Sequence, residues 1–267
     1  NGGVAVDGNW QTEIEGLYAA GEAAGTFGVY RPGGSALNAG QVGSMRAAQH
    51  IARFGGEVTK QMTTLCGAPV LIHTLRAFEA TDCIHEIIIV AKASEIPVWQ
   101  DMCHSYGITK VTQIVEGGAS RQASVLRGFE TIDKRAKFVA ISDGARCLVT
   151  PEIITDVCRA AYKYKAATAA HRSTDTVKIA DENGFIASTT DRDTVWLAQT
   201  PQVFKAKLYY AAAYTAIKRR FSATDDNSLV EHVGHAIRLV ECGAQNIKIT
   251  TREDLTVAEY VLSDRAR

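Results

Sequence analysis

From about Lys60 onward the chain repeats one pattern: a short apolar run, an amphipathic stretch, then another apolar run. Residues 86–91 (EIIIVA) read as a buried strand, 94–106 as a helix, 110–115 as a strand and 120–132 as a helix. Residues 137–141 (KFVAI) read as a strand, 151–164 as a helix and 166–170 as a strand. Ser120 stands where a side-chain oxygen can accept from the free amides of a helix start. Pro151 stands in a first turn, where its missing N–H does no harm. Strands alternating with helices imply parallel pairing through right-handed crossovers, hence an α/β sandwich. One segment breaks the alternation. Residues 177–180 and 185–188 flank Asp181-Glu182-Asn183-Gly184, and Asn-Gly between two β-prone runs predicts a hairpin. Such a hairpin is either an arm for a partner subunit or a plain surface feature.

The first fifty residues have a different character. Eleven of the 22 glycines lie in residues 1–43, and periodicity there is weak. Residues 2–7 and 16–20 read as two short strands, and 35–54 as a helix with Ser35 as its cap and Leu37, Val42, Met45, Ala48 and Ile51 on one face. The chain opens on Asn1, so it is expected to begin within a longer protein. Lys plus Arg and Asp plus Glu are 29 each, a balance that argues against a nucleic-acid or anionic-membrane binder. The six cysteines show no CxxC pair and no metal-ligand spacing, and read as reduced thiols of a cytoplasmic protein. No apolar run approaches the ~20 residues that span a bilayer.

Open α/β sheets bind ligands at the carboxyl ends of their strands. After residues 110–115 comes Gly117-Gly118-Ala119-Ser120, where glycines allow close backbone approach and a helix start offers free amides. After 137–141 comes Ser142-Asp143-Gly144-Ala145-Arg146; an Asp there suits a metal or a ribose hydroxyl, or equally pairs Arg146. Asn246-Ile247-Lys248-Ile249-Thr250 places a Lys in an expected short strand, either snorkelling or aimed into a pocket.

The order and spacing of these strings resemble the methylerythritol-phosphate cytidylyltransferases. The matching strings are Leu65-Cys66-Gly67-Ala68-Pro69-Val70 after Lys60, Gly117 to Val125, Asp143-Gly144-Ala145-Arg146, Asp175-Thr176-Val177-Lys178 and Asp191-Arg192. Gln199-Thr200-Pro201-Gln202-Val203-Phe204, Thr224-Asp225-Asp226 with Glu231, and Asn246 to Thr250 complete the set. The resemblance implies a nucleotidyltransferase-like, Rossmann-like three-layer sandwich with a protruding β-arm. It implies transfer of a cytidylyl group from CTP to methylerythritol 4-phosphate with release of pyrophosphate, in isoprenoid-precursor synthesis. By this resemblance Gly118, Ala119 and Ser124 line the cytosine pocket, and Asp143, with Gly144, lies near the ribose and a Mg²⁺ that comes with CTP. Thr176 and Arg192 reach a neighbouring subunit's site across the 176–190 arm and hold the acceptor phosphate, making a homodimer. Thr200 and Lys248 hold it from the same subunit, and Lys60 and Arg53 neutralise the triphosphate. The chemistry fits that set: two polyanions must meet, the nucleophile is already an anion, and fixed cations offset the charge that builds on the non-bridging oxygens. Ribitol phosphate is the alternative acceptor, although Asp191-Arg192-Asp193-Thr194-Val195-Trp196 favours methylerythritol phosphate. A catalytically inactive dimerising module is the alternative outside enzymes.

The family opens with a strand and a loop of the form AAGxGxRMG. Here the aligned stretch runs Ala47-Ala48-Gln49-His50-Ile51-Ala52-Arg53-Phe54-Gly55, with Gln49 and Ile51 in place of the two loop glycines. Their side chains obstruct backbone approach to phosphate. Cys147 stands where the family usually has Pro. Residues 1 to about 53 resemble instead the C-terminal end of FAD-dependent fumarate reductase-like flavoproteins, a short α+β fragment, through GLYAAGE at 16–22, Arg31-Pro32-Gly33-Gly34-Ser35-Ala36-Leu37-Asn38 and Gln41-Val42-Gly43. That resemblance implies vestigial flavin contacts at Glu22, Ser35 and Leu37. With no GxGxxG after a strand and most of the pocket missing, FAD binding, and with it an oxidoreductase role, is not expected. The expected domains are 1–53, the flavoprotein-like fragment, and 54–267, a transferase domain lacking its first strand and glycine loop, with a correspondingly reduced turnover.

Overall fold

The computed structural model describes residues 59–265. The expected strands at 2–7 and 16–20, the helix at 35–54, and Glu22, Ser35, Leu37, Gln49, Ile51 and Arg53 lie outside them. The described part begins with two short strands, β1 (Thr64–Leu65) and β2 (Ala68–Pro69), which lead into helix α1 (Val70–Glu79). Then come β3 (Ile87–Ala91), α2 (Ile96–Ser105), β4 (Val111–Glu116), α3 (Arg121–Thr131), β5 (Phe138–Ile141), α4 (Pro151–Tyr164) and β6 (Ala166–Arg172). The arm is β7 (Lys178–Ala180) and β8 (Ile186–Thr189). The chain closes with β9 (Trp196–Lys205), α5 (Ala206–Arg219), α6 (Asp226–His232), β10 (Arg238–Glu241) and α7 (Arg252–Arg265).

The main sheet has the order β10-β6-β9-β5, and β3 pairs with β4 in a second, two-stranded sheet. Among the described residues no strand joins β3 to β5. The expected all-parallel pairing needs correction. β3–β4 and β6–β10 are parallel, but β9 lies antiparallel between β5 and β6. The reason is the connection: β6 and β9 are joined by the arm rather than by a helical crossover, so the chain returns along the sheet in the opposite sense.

Both faces of the main sheet are covered at its centre, which is why β6 is buried without alternation. Ala166 and Phe204 face one core with α5, α6 and Phe129 of α3, while their neighbours Ala167 and Val203 face the other with α4 and the end of α1. Successive residues point to opposite faces, so a run of five buried residues, 166–170, needs a layer on each side. β3 is packed likewise: Ile89 meets Trp99 and Cys103 of α2 and Ile72 and Leu75 of α1. On its other face α3 comes so close that a Cβ on Gly128 would lie 2.7 Å from Val90 Cγ2. The result is a three-layer sandwich.

Local signals set the helix ends. Ser120 accepts from the Ala123 amide at 3.1 Å and Thr150 from Ile153 at 3.4 Å, with Pro151 in the first turn. α4 ends where Lys165 takes a left-handed φ of 71° and its amide returns to the Ala161 carbonyl. The helix expected at 94–106 is split: a 3₁₀ turn, Ala93–Glu95, precedes α2. Residues 246–250 form no strand, against expectation; they run without regular secondary structure between β10 and α7. Both arm strands are exposed along their whole length.

Candidate active site

Asp143 lies two residues beyond β5, at the sheet rim, and three cations converge on its carboxylate. Lys248 Nζ is 3.2 Å away, Arg146 Nε 3.6 Å and Arg121 Nε 3.9 Å. They arrive from three places: the segment before α7, the turn after β5 and the first residue of α3. Three cations against Asp143 and the Asp226 that pairs Arg121 leave an excess positive charge at the rim, which attracts anions. Arg146 Nε is buried and faces the Asp143 carboxylate at 3.6 Å, slightly too far for a full hydrogen bond.

Lys248 is aimed by its neighbours. Asn246 is fully buried, and its amide donates to Gln199 Oε1 at 3.1 Å and to the Thr200 carbonyl at 2.9 Å. Its own carbonyl accepts from Arg146 Nη1 at 2.6 Å. Ile249 is buried and its amide donates to the Ala145 carbonyl at 2.8 Å. Ile247 and Ile249 therefore face the core, and Lys248 between them turns outward to Asp143. Of the two readings left open from sequence, the side chain is directed at the rim rather than laid along an apolar surface. Lys60 Nζ donates to the Thr250 carbonyl, which puts a further ammonium beside the same segment.

Thr200 is nearly inaccessible; its hydroxyl accepts from the Asp143 amide at 3.0 Å and lies 3.2 Å from Ser142 Oγ. In this structure it fixes the loop that carries Asp143. Gly144 is pressed against α1: a Cβ there would sit 2.8 Å from Leu71 Cδ1, and Thr74 donates to the Gly144 carbonyl at 3.0 Å. The loop at 117–120 is laced to α3. The Gly118 amide donates to Ser124 Oγ at 3.0 Å, and that hydroxyl lies 2.8 Å from the Ser120 carbonyl. A Cβ on Gly118 would come within 2.6 Å of Ala123 Cβ, so only glycine fits. Ser124 thus holds the loop's shape, while Ala119 is exposed at its tip.

Thr176 and Arg192 stand apart from this cluster. Thr176 is exposed just before β7, and Arg192 opens a 3₁₀ turn, Arg192–Thr194, beside the arm, its Nη1 donating to the Thr174 carbonyl at 3.2 Å. Among the described residues no ion pair or hydrogen bond joins Arg192 to the Asp143 cluster.

Two partners were given no role from sequence. Arg121 Nη1 lies 2.7 Å from Asp226 Oδ2, and Asp226 is wholly buried. Gln202, also buried, accepts from the Asp226 and Asn227 amides at 3.1 and 3.2 Å and donates to Asp225 Oδ2 at 2.9 Å. Burial opposes the charge on Arg121, but Asp226 and Asp143 outweigh it and raise its pKa. Arg146 goes the other way: burial lowers it, with Asp143 offsetting only part. Among the described residues no group of three or more His, Cys, Asp or Glu can hold a metal ion.

The family described as 2-C-methyl-D-erythritol 4-phosphate cytidylyltransferase matches residues 44–264. The chain belongs to that family. A relative of that name from Caldanaerobacter subterraneus subsp. tengcongensis is 43% identical over 217 residues, covering 81% of this chain and 96% of the relative. Another from Pelotomaculum thermopropionicum is 41% identical over 220 residues, covering 82% and 92%. Among solved structures, the 4-diphosphocytidyl-2C-methyl-D-erythritol synthase of Anaerococcus prevotii superposes with a TM-score of 0.70 at 32% identity, covering 75% of this chain and 88% of that one. A family of FAD binding domains matches residues 1–37. Among the described residues no helix is long and apolar enough to cross a membrane. As a cytidylyltransferase the chain is a nucleotidyltransferase-fold enzyme, and its two matched regions meet between residues 37 and 44.

Proposed function

We propose that this cytidylyltransferase joins CTP and 2-C-methyl-D-erythritol 4-phosphate, releasing pyrophosphate, with the Asp143 cluster as its reacting centre. The observation that carries the reading is the convergence of Lys248, Arg146 and Arg121 on one rim carboxylate, with Lys60 alongside. An oxygen of the acceptor phosphate attacks the α-phosphorus of CTP in line, the bond to the bridging oxygen breaks, and the β- and γ-phosphates leave together. Lys248 meets the charge that accumulates on the non-bridging oxygens, and Arg146, held against Asp143, adds a second fixed positive charge. No proton has to be removed from the nucleophile, so the site needs no histidine. The 117–120 loop receives the cytosine, and Asp143 lies on the ribose side of the nucleotide. Mg²⁺ belongs with the nucleotide in this reading: one carboxylate fits a cation whose remaining ligands are phosphate oxygens and water.

Arg192 and Thr176 fit the acceptor phosphate of a second subunit, because they stand beside an arm whose apolar tip residues Phe185 and Ile186 are 71% and 66% exposed. We infer a homodimer from this, and propose a cytoplasmic protein with domains at 1–53 and 54–267. Gln49 and Ile51 replace glycines in the loop that faces the triphosphate in the family, and we infer a turnover well below that of relatives with those glycines. The test is to supply the full chain with CTP, Mg²⁺ and either methylerythritol 4-phosphate or ribitol 5-phosphate and to follow pyrophosphate. Slow release with the first acceptor supports the reading. Release with the second alone moves the specificity, and failure to bind CTP removes the transferase reading.

A further inference from the structure

The structure assigns a positioning role to Asp226: it holds Arg121 in place at the rim of the site. Asp226 is fully buried at the start of α6, a poor place for a carboxylate unless something specific holds it. Two groups do, while the Asp226 main-chain amide is held separately by Gln202. Tyr209 Oη, also fully buried, donates to Asp226 Oδ1 at 2.7 Å. Arg121 Nη1 stands 2.7 Å from Oδ2, and the other side of the same guanidinium, Nε, faces Asp143 at 3.9 Å. The Arg121 side chain is still 39% exposed, so one end is anchored in the core and the other is open to solvent at the rim. A guanidinium is a rigid planar fork, and fixing one edge fixes the direction of the other. Tyr209 in turn packs edge-on against Phe129 of α3 at 5.1 Å and stacks on Phe204 of β9 at 5.6 Å, so the anchor is tied to both the sheet and the helix that bears Arg121.

Held this way, Arg121 acts on the nucleotide's phosphates and on Asp143 in the transition state, whereas Asp226 and Tyr209 act only through it. This rests on the transferase reading. It predicts a particular arithmetic: removing Asp226 and removing Arg121 interrupt the same path, so the two losses do not multiply.

The experiment compares the full chain with Arg121→Met, Asp226→Asn, the double variant and Tyr209→Phe. It measures CTP affinity by calorimetry, kcat and KM for pyrophosphate release, and thermal melting. Arg121→Met and Asp226→Asn should each lower kcat on the order of tenfold, the size of one coupling of this kind, and the double variant should be no worse than Arg121→Met. Tyr209→Phe, which keeps the ring and removes only the hydroxyl, should fall between wild type and Asp226→Asn in kcat with little change in KM. Losses that multiply in the double variant, or a loss in melting temperature with kcat intact in Tyr209→Phe, overturn the role and leave the network structural. If Asp226→Asn does not fold, the Tyr209→Phe split decides alone. If the wild-type chain binds no CTP, both this role and the transferase reading fall; if it binds CTP and the losses multiply, only this role does.

Discussion

The Asp143 rim and the 178–189 arm are opposite kinds of surface. Three charged groups at the rim are braced from behind: Lys248 by buried Asn246 and Ile249, the Asp143 loop by Thr200, and Arg121 by buried Asp226. In the arm, β7 and β8 bond mainly to each other, and Ile179, Phe185 and Ile186 face solvent. A braced site carries its geometry with it, whereas an unbraced hairpin with an apolar tip has geometry only against something else. Chemistry belongs to the first, and the arm's contribution depends on what it meets.

The comparison is tested hardest at Lys248. Lys248→Ala removes a fixed cation from the reacting centre and should lower pyrophosphate release by ~10²–10³-fold, with melting temperature unchanged because the side chain is 45% exposed. Arg192→Ala should cost about 10–100-fold, the worth of a charged hydrogen bond to the acceptor phosphate, and should appear chiefly in the KM for that acceptor. Mixing the two impaired proteins, at an acceptor concentration too low for Arg192→Ala to turn over appreciably, sharpens the contrast. If Lys248 serves its own subunit's site and Arg192 its neighbour's, subunit exchange restores about one site in four. If no activity returns on mixing, Arg192 does not act across the interface.

How much of this was legible depended on where polarity fell. β3, β5 and β6 were readable because strands covered on both faces are apolar throughout, and α4 because Thr150-Pro151 marks its start. β9, the longest strand, was hidden: buried Gln199, Thr200 and Gln202 interrupt its apolar run, and each is there to bond another loop, reaching Gly243, Asp143 and Asp225 respectively. The same polar residues made the region stand out as a motif. Residues 246–250 alternate like a strand yet pair with none, since their bonds go to a turn and to side chains instead. Arg121 and Asp226 are far apart in sequence, so no local pattern shows that they meet. Family resemblance named the strings that contain them and left their roles unassigned.

A smaller effect probes the loop at 117–120. Gly118→Ala places a methyl group against Ala123 Cβ and the backbone of α3, and overpacking of this kind costs about 1–3 kcal/mol. Because the Gly118 amide and Ser124 hydroxyl tie the loop to α3, the displacement should weaken CTP binding as well as lower the melting temperature. A melting temperature that falls with CTP affinity unchanged would detach this loop from the nucleotide.

The smallest effect tests whether bracing extends behind Lys248 into α7. Asp254 Oδ2 accepts from the Thr250 amide and hydroxyl, both at 2.7 Å, and from the Thr251 amide at 2.8 Å. Those hydrogen bonds hold its carboxyl down at about 2, from an ordinary 3.8. A depressed folded-state value means that the contribution is complete above the unfolded value and fades as pH falls through the folded one. Wild type should therefore exceed Asp254→Ala in unfolding free energy from urea titration at neutral pH, by no more than about 1 kcal/mol for so exposed a cap, and the charge-dependent part of that gap should close between pH 3.8 and about 2. Because Thr250 follows Lys248 by two residues, Asp254→Ala should also cost a modest fraction of turnover at neutral pH. A stability gap that ignores pH would show that the hydrogen-bonded carboxylate is not what holds this turn, and the bracing would then end at Ile249.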